Sequence, residues 1–190
     1  GFDFYVYGNI PNGAGLSSSA SLELLTGVVA EYLFDLKLDR LDLVKIGKQT
    51  ENNFIGVNSG IMDQFASVFG QKGKLMRLDC RSREFEYFPF NPQGYKLVLV
   101  NSKVKHELVG SPYNDRRRSC ENVVAAIAKQ FPEKKYETLR DANWDELEAV
   151  KDKVSAEDYQ RAHFVLGEKE RVLAVCDALV AGDYETVGQK

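Results

Sequence analysis

The stretch Pro11-Asn12-Gly13-Ala14-Gly15-Leu16-Ser17-Ser18-Ser19-Ala20-Ser21 decides the fold. An alternating run over residues 2–10 precedes it and predicts a β-strand, whereas Leu22 opens a long helical pattern. The stretch is therefore predicted to be a loop of small residues that joins a strand to the N-terminus of a helix. Gly13 and Gly15 have no side chains, so backbone N–H groups can close on a ligand there.

The composition of this loop predicts an anion site. The three serines at 17–19 supply hydroxyls that can cap the helix, whose first N–H groups lack internal partners and lie at the positive end of its dipole. A phosphate group is the expected ligand of such a site. The spacing fits neither common phosphate loop, because no Walker lysine follows and Ser18 breaks the dinucleotide pattern. A simple turn with a helix cap is the alternative that the residues leave open.

Composition limits the function classes. The 190 residues are 44% apolar, which is enough for a real core, and suit one domain or one and a half. A net charge of −3, with Arg116–Arg118 as the only basic run, argues against nucleic acid as a partner. No apolar run has transmembrane length and no signal peptide is evident. Three cysteines without ligand spacing predict reduced thiols in a cytoplasmic protein.

Two helices are predicted after the loop. The first covers residues 17–36, and Gly27 within it is explained by close packing against a neighbour. The second is capped by Asp39 and carries Glu51 near its end, where the position alone suggests a solvated surface acid. The residues expected to face the core are Leu22, Leu25, Val29, Tyr32, Leu33 and Leu36 in the first helix, and Leu43, Val44 and Ile46 in the second.

A third helix is predicted to carry Asp63 in its first turn. Asn58 or Ser59 is the expected N-cap, Gly70 the expected end, and Ile61, Phe65, Val68 and Phe69 the buried stripe. An acid in a first turn commonly does no more than complement the helix dipole. It is also where a proton acceptor or a charge anchor can be held.

The rest of the chain reads as two strands, a turn, a buried strand and helices. The strands cover residues 74–79 and 84–90, the turn 91–94, and the buried strand 95–101. Ser111-Pro112 is predicted to open a helix with Val123, Val124 and Ile127 on its core face. Helices over 144–154 and 156–179 follow, with Trp144 packing near a helix start and apolar positions at Val165, Leu166, Val172, Leu173, Val175 and Leu179.

With these segments in place, the chain resembles the sugar-kinase branch of the GHMP kinases, and within it the galactokinases. Four stretches carry the resemblance: residues 11–21, Ser59-Gly60-Ile61-Met62-Asp63-Gln64-Phe65, Asn101-Ser102-Lys103-Val104-Lys105-His106, and Tyr113-Asn114-Asp115-Arg116-Arg117-Arg118 with Cys120-Glu121. The third and fourth are typical of galactokinases rather than of the whole superfamily. The similarity covers essentially the full chain and keeps the family's order.

The resemblance implies an ATP-dependent kinase that phosphorylates galactose at its anomeric hydroxyl, and it implies roles for residues. Asp63 would accept or polarise the hydroxyl proton, Gly60, Asp63 and Tyr113 would contact the sugar, and Ser18 or Ser19 with Glu51 would bind Mg²⁺. Glu51 is then functional rather than a surface acid. The residues that would hold the ATP phosphates are Pro11, Gly13, Ala14, Gly15, Leu16, Ser17, Ser18, Ser19 and Ala20.

The implied fold class is α+β. Residues 1–92 would be most of a ribosomal-S5-like N-terminal domain, and residues 93–190 part of a ferredoxin-like C-terminal domain. The family's N-terminal sugar-binding motif and its Gly-rich C-terminal motif are absent, so we expect an internal fragment with little kinase activity, cut from an active and monomeric parent. A kinase for N-acetylgalactosamine or another sugar, a non-catalytic galactokinase-like sugar sensor, and a purely structural domain are the alternatives.

Overall fold

The structure is a computed structural model that describes residues 3–11, 14–100 and 113–190. Helices dominate these ranges, and one β-hairpin accompanies them, which makes the chain α+β. The helices are α1 (Ser18–Leu33), α2 (Arg40–Gln49), α3 (Met62–Phe69), α4 (Tyr113–Gln130), α5 (Trp144–Glu148), α6 (Ala156–Ala181) and α7 (Tyr184–Gln189). The strands are β1 (Lys74–Leu78) and β2 (Phe85–Pro89). A π-helical turn covers Thr50–Ile55, and 3₁₀ turns cover Leu139–Asp141 and Lys151–Lys153.

The chain forms two compact units. The first comprises Gly1–Lys72, Leu78–Glu84 and Lys96–Ser111, and the second comprises Gly73–Arg77, Phe85–Tyr95 and Pro112–Lys190. The predicted phosphate loop and α1 to α3 all belong to the first unit. The domain boundary near residue 92 stays a prediction.

In the first unit, α1 packs against α2 and α3 through a face other than the predicted one. Ala20 and Leu24 are the buried residues of α1, and Leu43 and Val44 of α2 and Phe65 of α3 are buried as well. The predicted inward residues Leu22, Leu25, Tyr32, Leu33 and Leu36 are exposed, as is Ile46 of α2. The prediction was wrong because it assigned the largest apolar side chains of α1 to the core. The helix instead packs through a face with smaller residues, which lets α2 and α3 approach closely.

Gly27 shows how close that approach is. A Cβ atom added to Gly27 would lie 2.3 Å from Cδ1 of Leu43, which is itself 2% exposed. The predicted reason for this glycine, close packing against a neighbouring element, is therefore confirmed. Glycine within a helix costs about 1 kcal/mol relative to alanine. In return, its missing side chain permits the tight packing of α1 on α2.

We predict that Gly27→Ala destabilises the protein by about 1 kcal/mol, because an overpacking cost of about 1–3 kcal/mol exceeds the gain in helix propensity. In a Leu43→Val background, which has no Cδ atom, the same substitution should instead be stabilising. Urea unfolding of the four proteins of this double-mutant cycle measures both effects. A stabilising Gly27→Ala in the wild-type background would show that the contact is loose.

The hairpin was predicted, but two other strands were not found. β1 and β2 lie within the predicted ranges 74–79 and 84–90 and pair with each other. Residues 3–10 and 95–100 have no strand structure, and Leu97 and Val100 are 80% and 86% exposed, so the predictions over 2–10 and 95–101 were wrong for their described parts. A strand needs a hydrogen-bonded neighbour, and the described residues provide none for these two segments.

The second unit has its core between α4, α5 and α6. Its buried residues are Val123, Ile127, Leu139, Ala142, Leu147, Val150, Ala162 and Leu166, and Trp144 packs against them as predicted. A smaller cluster joins Phe88 of β2 to Cys176 and Leu179 of α6. Val165, Val172 and Leu173, also predicted to be apolar positions of the core, are exposed. Among the described helices, none combines the length and apolar composition that a bilayer span requires.

Helix caps fix the boundaries of several elements. Asp39 accepts a hydrogen bond from the backbone N–H of Leu41, so the predicted cap of α2 is confirmed. Ser155 caps α6 in the same way, and Gly182 ends it with φ of 70°. Each such cap satisfies backbone groups that a helix end leaves without partners.

Candidate functional site

The predicted phosphate loop leads directly into α1. Gly15 and Ser17 both have left-handed backbones, with φ of 70° and 53°, a conformation that glycine adopts freely and serine rarely. Ser17 is the N-cap of α1, but its side chain makes no capping hydrogen bond. It therefore leaves the N–H groups of the first turn without a side-chain cap. Of the predicted phosphate-binding residues, Gly13 lies outside the described residues.

Ser19 and Glu51, two of the predicted Mg²⁺ ligands, are in direct contact. The Ser19 hydroxyl donates a 2.6 Å hydrogen bond to Oε1 of Glu51. Glu51 is only 4% exposed, so it is not the solvated surface acid that its position alone suggested. Ser18 is partly buried, and it adjoins this pair as the first residue of α1.

A π-helical turn buries Glu51. Instead of stopping at the end of α2, the chain continues helically through Thr50–Ile55, with Glu51 near the start of that turn. Gly56 closes it with φ of 84° and donates its backbone N–H to the carbonyl of Glu51. Turns of this kind are rare and frequent at functional sites. Sequence periodicity at 3.6 residues per turn could not anticipate the wider turn.

Sequence reasoning missed Glu23, a second carboxylate beside this pair. Both of its carboxylate oxygens are buried and make no hydrogen bond. Burial, and then the negative charge of Glu51, raise the pKa of Glu23 to about 7, and the Gln64 side chain offsets this in part. The sequence did contain one signal for Glu23. It lies four residues after Ser19, a spacing that puts both side chains on one face of α1.

Gln64 was also missed, although it follows Asp63 directly. It is 2% exposed, and its Cγ would lie 3.0 Å from a Cβ added to Gly47 of α2. Oε2 of Glu23 would lie 3.6 Å from the same added atom. Gly47 thus lets α2 approach a polar patch that α1 and α3 contribute to the interior of the first unit.

Asp63 lies in the first turn of α3, as predicted, and its side chain is exposed. The N-cap of α3 is Ile61 rather than Asn58 or Ser59, so that prediction was wrong. Ser59 instead donates its hydroxyl to the side-chain oxygen of Asn52, at 3.3 Å. An apolar N-cap offers the first turn no side-chain acceptor, so the dipole there remains available to stabilise a negative charge.

The predicted sugar-binding residues are placed as follows. Gly60 is exposed, and no atom lies within 4 Å of a Cβ added to it. Tyr113, the first residue of α4, is 42% exposed and belongs to the second unit. The predicted motif 101–106 lies outside the described residues. Residues 116–118, which form the basic run, are exposed.

The donor set fits a hard divalent cation. Ser19 and Glu51 offer a hydroxyl and a carboxylate, and Mg²⁺ takes few protein oxygens while keeping several waters. The carboxylate of Glu23, buried under the influence of the Glu51 charge and without a hydrogen bond of normal geometry, is negative charge that a cation would compensate. Within the ranges that the structure describes, no cluster of three or more His, Cys, Asp or Glu side chains could hold a metal by itself.

The pKa of Glu23 gives a pH prediction. Because the folded-state pKa is about 7, above the ordinary value of 4.5, the folded protein binds protons more tightly than the unfolded chain. Its contribution to stability is therefore lost as pH rises from about 4.5 through about 7. Glu23→Gln, which carries no charge, should stabilise the protein by about 1 kcal/mol at pH 8, after discounting for partial exposure, and by less at pH 5.

Thermal unfolding at pH 5 and pH 8, with a chelator present, measures this difference. Glu31→Gln is the matched control, because it removes another carboxylate of α1, one that is ion-paired with Arg40 at 2.9 Å. A Glu23→Gln protein less stable than the wild type at pH 8 would contradict the prediction.

Comparisons with known proteins show what the chain is similar to. Residues 1–71 match the family described as GHMP kinases N terminal domain. The chain is 48% identical over 190 residues to a galactokinase of Streptococcus mutans and 44% identical over 192 residues to one of Exiguobacterium sibiricum. These matches take in 100% of this chain and 48% and 47% of the relatives, so the chain spans about half their length. The crystal structure of Lactococcus lactis galactokinase complexed with galactose matches 93% of this chain and 45% of its own, with a TM-score of 0.84 and 38% identity.

Proposed function

We propose that the full-length protein is an ATP-dependent sugar 1-kinase, because residues 1–71 match the GHMP kinase N-terminal domain and the whole chain is similar to galactokinases. Its proposed reaction is the phosphorylation of galactose to galactose 1-phosphate. The observation that carries this proposal is the 2.6 Å contact between Ser19, at the start of α1, and the buried Glu51. A hydroxyl and a carboxylate held together at the end of a glycine-rich loop are suited to a nucleotide and its cation.

The loop is proposed to bind the ATP phosphates through backbone N–H groups. Gly15 and Ser17 hold left-handed conformations that turn the chain sharply before α1. The first turn of α1 then presents N–H groups at the positive end of the helix dipole, which stabilises phosphate charge. No lysine is needed in such an arrangement, because charge is neutralised by dipoles and by a cation.

Ser18 or Ser19 together with Glu51 is proposed to hold Mg²⁺. When bound, Mg²⁺ would supply positive charge that neutralises the negative charge of the phosphates. The hydrogen bond to Ser19 keeps the Glu51 carboxylate in place, so little reorganisation is required to accept a cation. Pre-organised charge of this kind is the main contribution that a protein makes to phosphoryl transfer.

Asp63 is proposed to meet the anomeric hydroxyl of the sugar. It is exposed in the first turn of α3, where it can reach a ligand that arrives from solvent. It would either accept the hydroxyl proton or orient and polarise the hydroxyl for in-line attack on the γ-phosphate. Gly60 would let the sugar approach the backbone closely, and Tyr113 would contribute a further sugar contact.

We predict that Asp63→Asn lowers kcat of the full-length protein about 10²–10⁴-fold, because a positioned carboxylate contributes about that much to proton transfer. Asp42→Asn is the matched control, since Asp42 is also an exposed acid in the first turn of a helix, α2. A coupled assay of ADP release with galactose measures both. Equal activity of the two variants would remove Asp63 from the mechanism.

Sugar identity is tested separately from phosphoryl transfer. A panel of galactose, N-acetylgalactosamine and other small sugars, each assayed with the full-length protein and ATP, should give the highest kcat/KM with galactose. Turnover with another sugar only would keep the kinase and change its substrate. Binding of sugar and ATP without any turnover would favour the non-catalytic sensor, which the presence of Asp63 and of an uninterrupted serine run argues against.

A cytoplasmic location is also proposed. Cys80, Cys120 and Cys176 are free thiols, a state that reducing compartments maintain. The low activity expected of the 190-residue chain by itself stays a prediction.

A further inference from the structure

Glu23 shares a face of α1 with Ser19. The two residues are four apart, one helical turn, so their side chains project to the same side. Ser19 is hydrogen-bonded to Glu51, and the charge of Glu51 acts on Glu23. Glu23 therefore lies on the same face of α1 as the Ser19–Glu51 pair, and Glu51 is the carboxylate that receives the serine hydrogen bond.

The burial of Glu23 is enforced from several sides. α2 approaches at Gly47, where an added Cβ would come within 3.6 Å of Oε2 of Glu23. The buried side chain of Gln64 reaches the same place from α3. The absence of a side chain at position 47 leaves room for Gln64, whose Cγ would lie 3.0 Å from an added Cβ, and the Glu23 carboxylate lies beside it. The helices thus keep an acid where an apolar residue would be expected.

Buried polar groups without partners are rare, and each one needs an explanation. Neither oxygen of Glu23 accepts a hydrogen bond, and a second carboxylate nearby increases the unfavourable energy of its charge. Such an arrangement lowers the stability of the ligand-free protein. It becomes favourable when a positive charge joins the two acids.

We propose that Glu23 is a positioning residue for the divalent cation of the Ser19–Glu51 pair, and that its buried carboxylate supplies a second negative charge that retains the cation with the nucleotide. This inference rests on the proposed kinase function. It adds to the predicted ligands a residue that acts through Glu51 and the local field. In the ligand-free protein the buried charge of Glu23 lowers stability, and when the cation binds the same charge increases its affinity.

Mn²⁺ binding to the full-length protein tests this role without relying on turnover. Mn²⁺ replaces Mg²⁺ at oxygen sites, and the electron paramagnetic resonance signal of free Mn²⁺ gives its affinity in the presence of a non-hydrolysable ATP analogue. Glu23→Gln should weaken Mn²⁺ binding about tenfold or more, as loss of a supporting group around a metal site does. Glu23→Asp, which keeps the charge, should restore part of the affinity.

Glu31→Gln controls for loss of a carboxylate from α1 and should leave Mn²⁺ affinity within twofold of the wild type. The signature of the proposed role is an opposite movement of two measurements: Glu23→Gln binds Mn²⁺ more weakly while its thermal midpoint at pH 8 stays equal or rises. A Glu23→Gln protein that keeps wild-type Mn²⁺ affinity overturns the inference. One that unfolds also overturns it, because the carboxylate would then be needed for the fold.

Failure of the proposed function gives a different result. In that case the wild-type protein itself would bind no Mn²⁺ with the ATP analogue and would not phosphorylate a sugar. A wild type that phosphorylates galactose, together with unchanged Mn²⁺ binding by Glu23→Gln, refutes the role of Glu23 alone.

Discussion

The hydrogen bond from Ser19 to Glu51 joins the start of α1, where the predicted phosphate loop ends, to the turn that follows α2. At 2.6 Å, between a hydroxyl and a carboxylate, it is a short and strong contact. It links the first turn of α1 to the π-helical turn after α2, two segments that are 32 residues apart in sequence. A buried carboxylate requires a donor, so the position of Glu51 and the start of α1 are set together.

Other local features follow from this requirement. Glu51 lies just beyond α2, which ends at Gln49. The π-helical turn Thr50–Ile55 carries it inward, and Gly56 then reverses the chain in a left-handed conformation. Gly27 leaves room for Leu43, and Gly47 leaves room for the buried Gln64 side chain. The first unit thus gives up some favourable packing and accepts a charged interior, as proteins do where function conflicts with stability.

Local patterns in the sequence predicted those parts of the fold that depend on neighbouring residues. The cap at Asp39, the hairpin of β1 and β2, and the core positions Val123 and Ile127 were confirmed because each follows from turn chemistry or short-range periodicity. The strands over 2–10 and 95–101 failed for their described parts because strand structure depends on a partner far away in sequence. The prediction of the buried face of α1 was wrong because the larger apolar residues of this helix lie on its exposed side.

The residues of the candidate site also differ in whether local sequence patterns could reveal them. Local signals predicted small residues before α1 and an acid in the first turn of α3, and Asp63 does lie in that turn; the roles of residues 11–21 and of Asp63 come from the resemblance and stay predictions. The burial of Glu51 could not, because it depends on a π-helical turn that periodicity does not reveal. Glu23 and Gln64 look like ordinary helix residues in the sequence, and only the meeting of α1, α2 and α3 makes them part of a polar interior.

Exposure separates the two acids that the proposed reaction uses. Asp63 lies exposed at the start of α3, where a sugar that diffuses in can meet it. Glu51 is enclosed and already hydrogen-bonded, which suits a charge that holds a cation in place and does not suit one that must meet a changing substrate. Phosphoryl transfer requires both, because positioning the acceptor and neutralising the phosphates are separate tasks. In the proposed kinase, two carboxylates of one chemical type therefore take different roles because their surroundings differ.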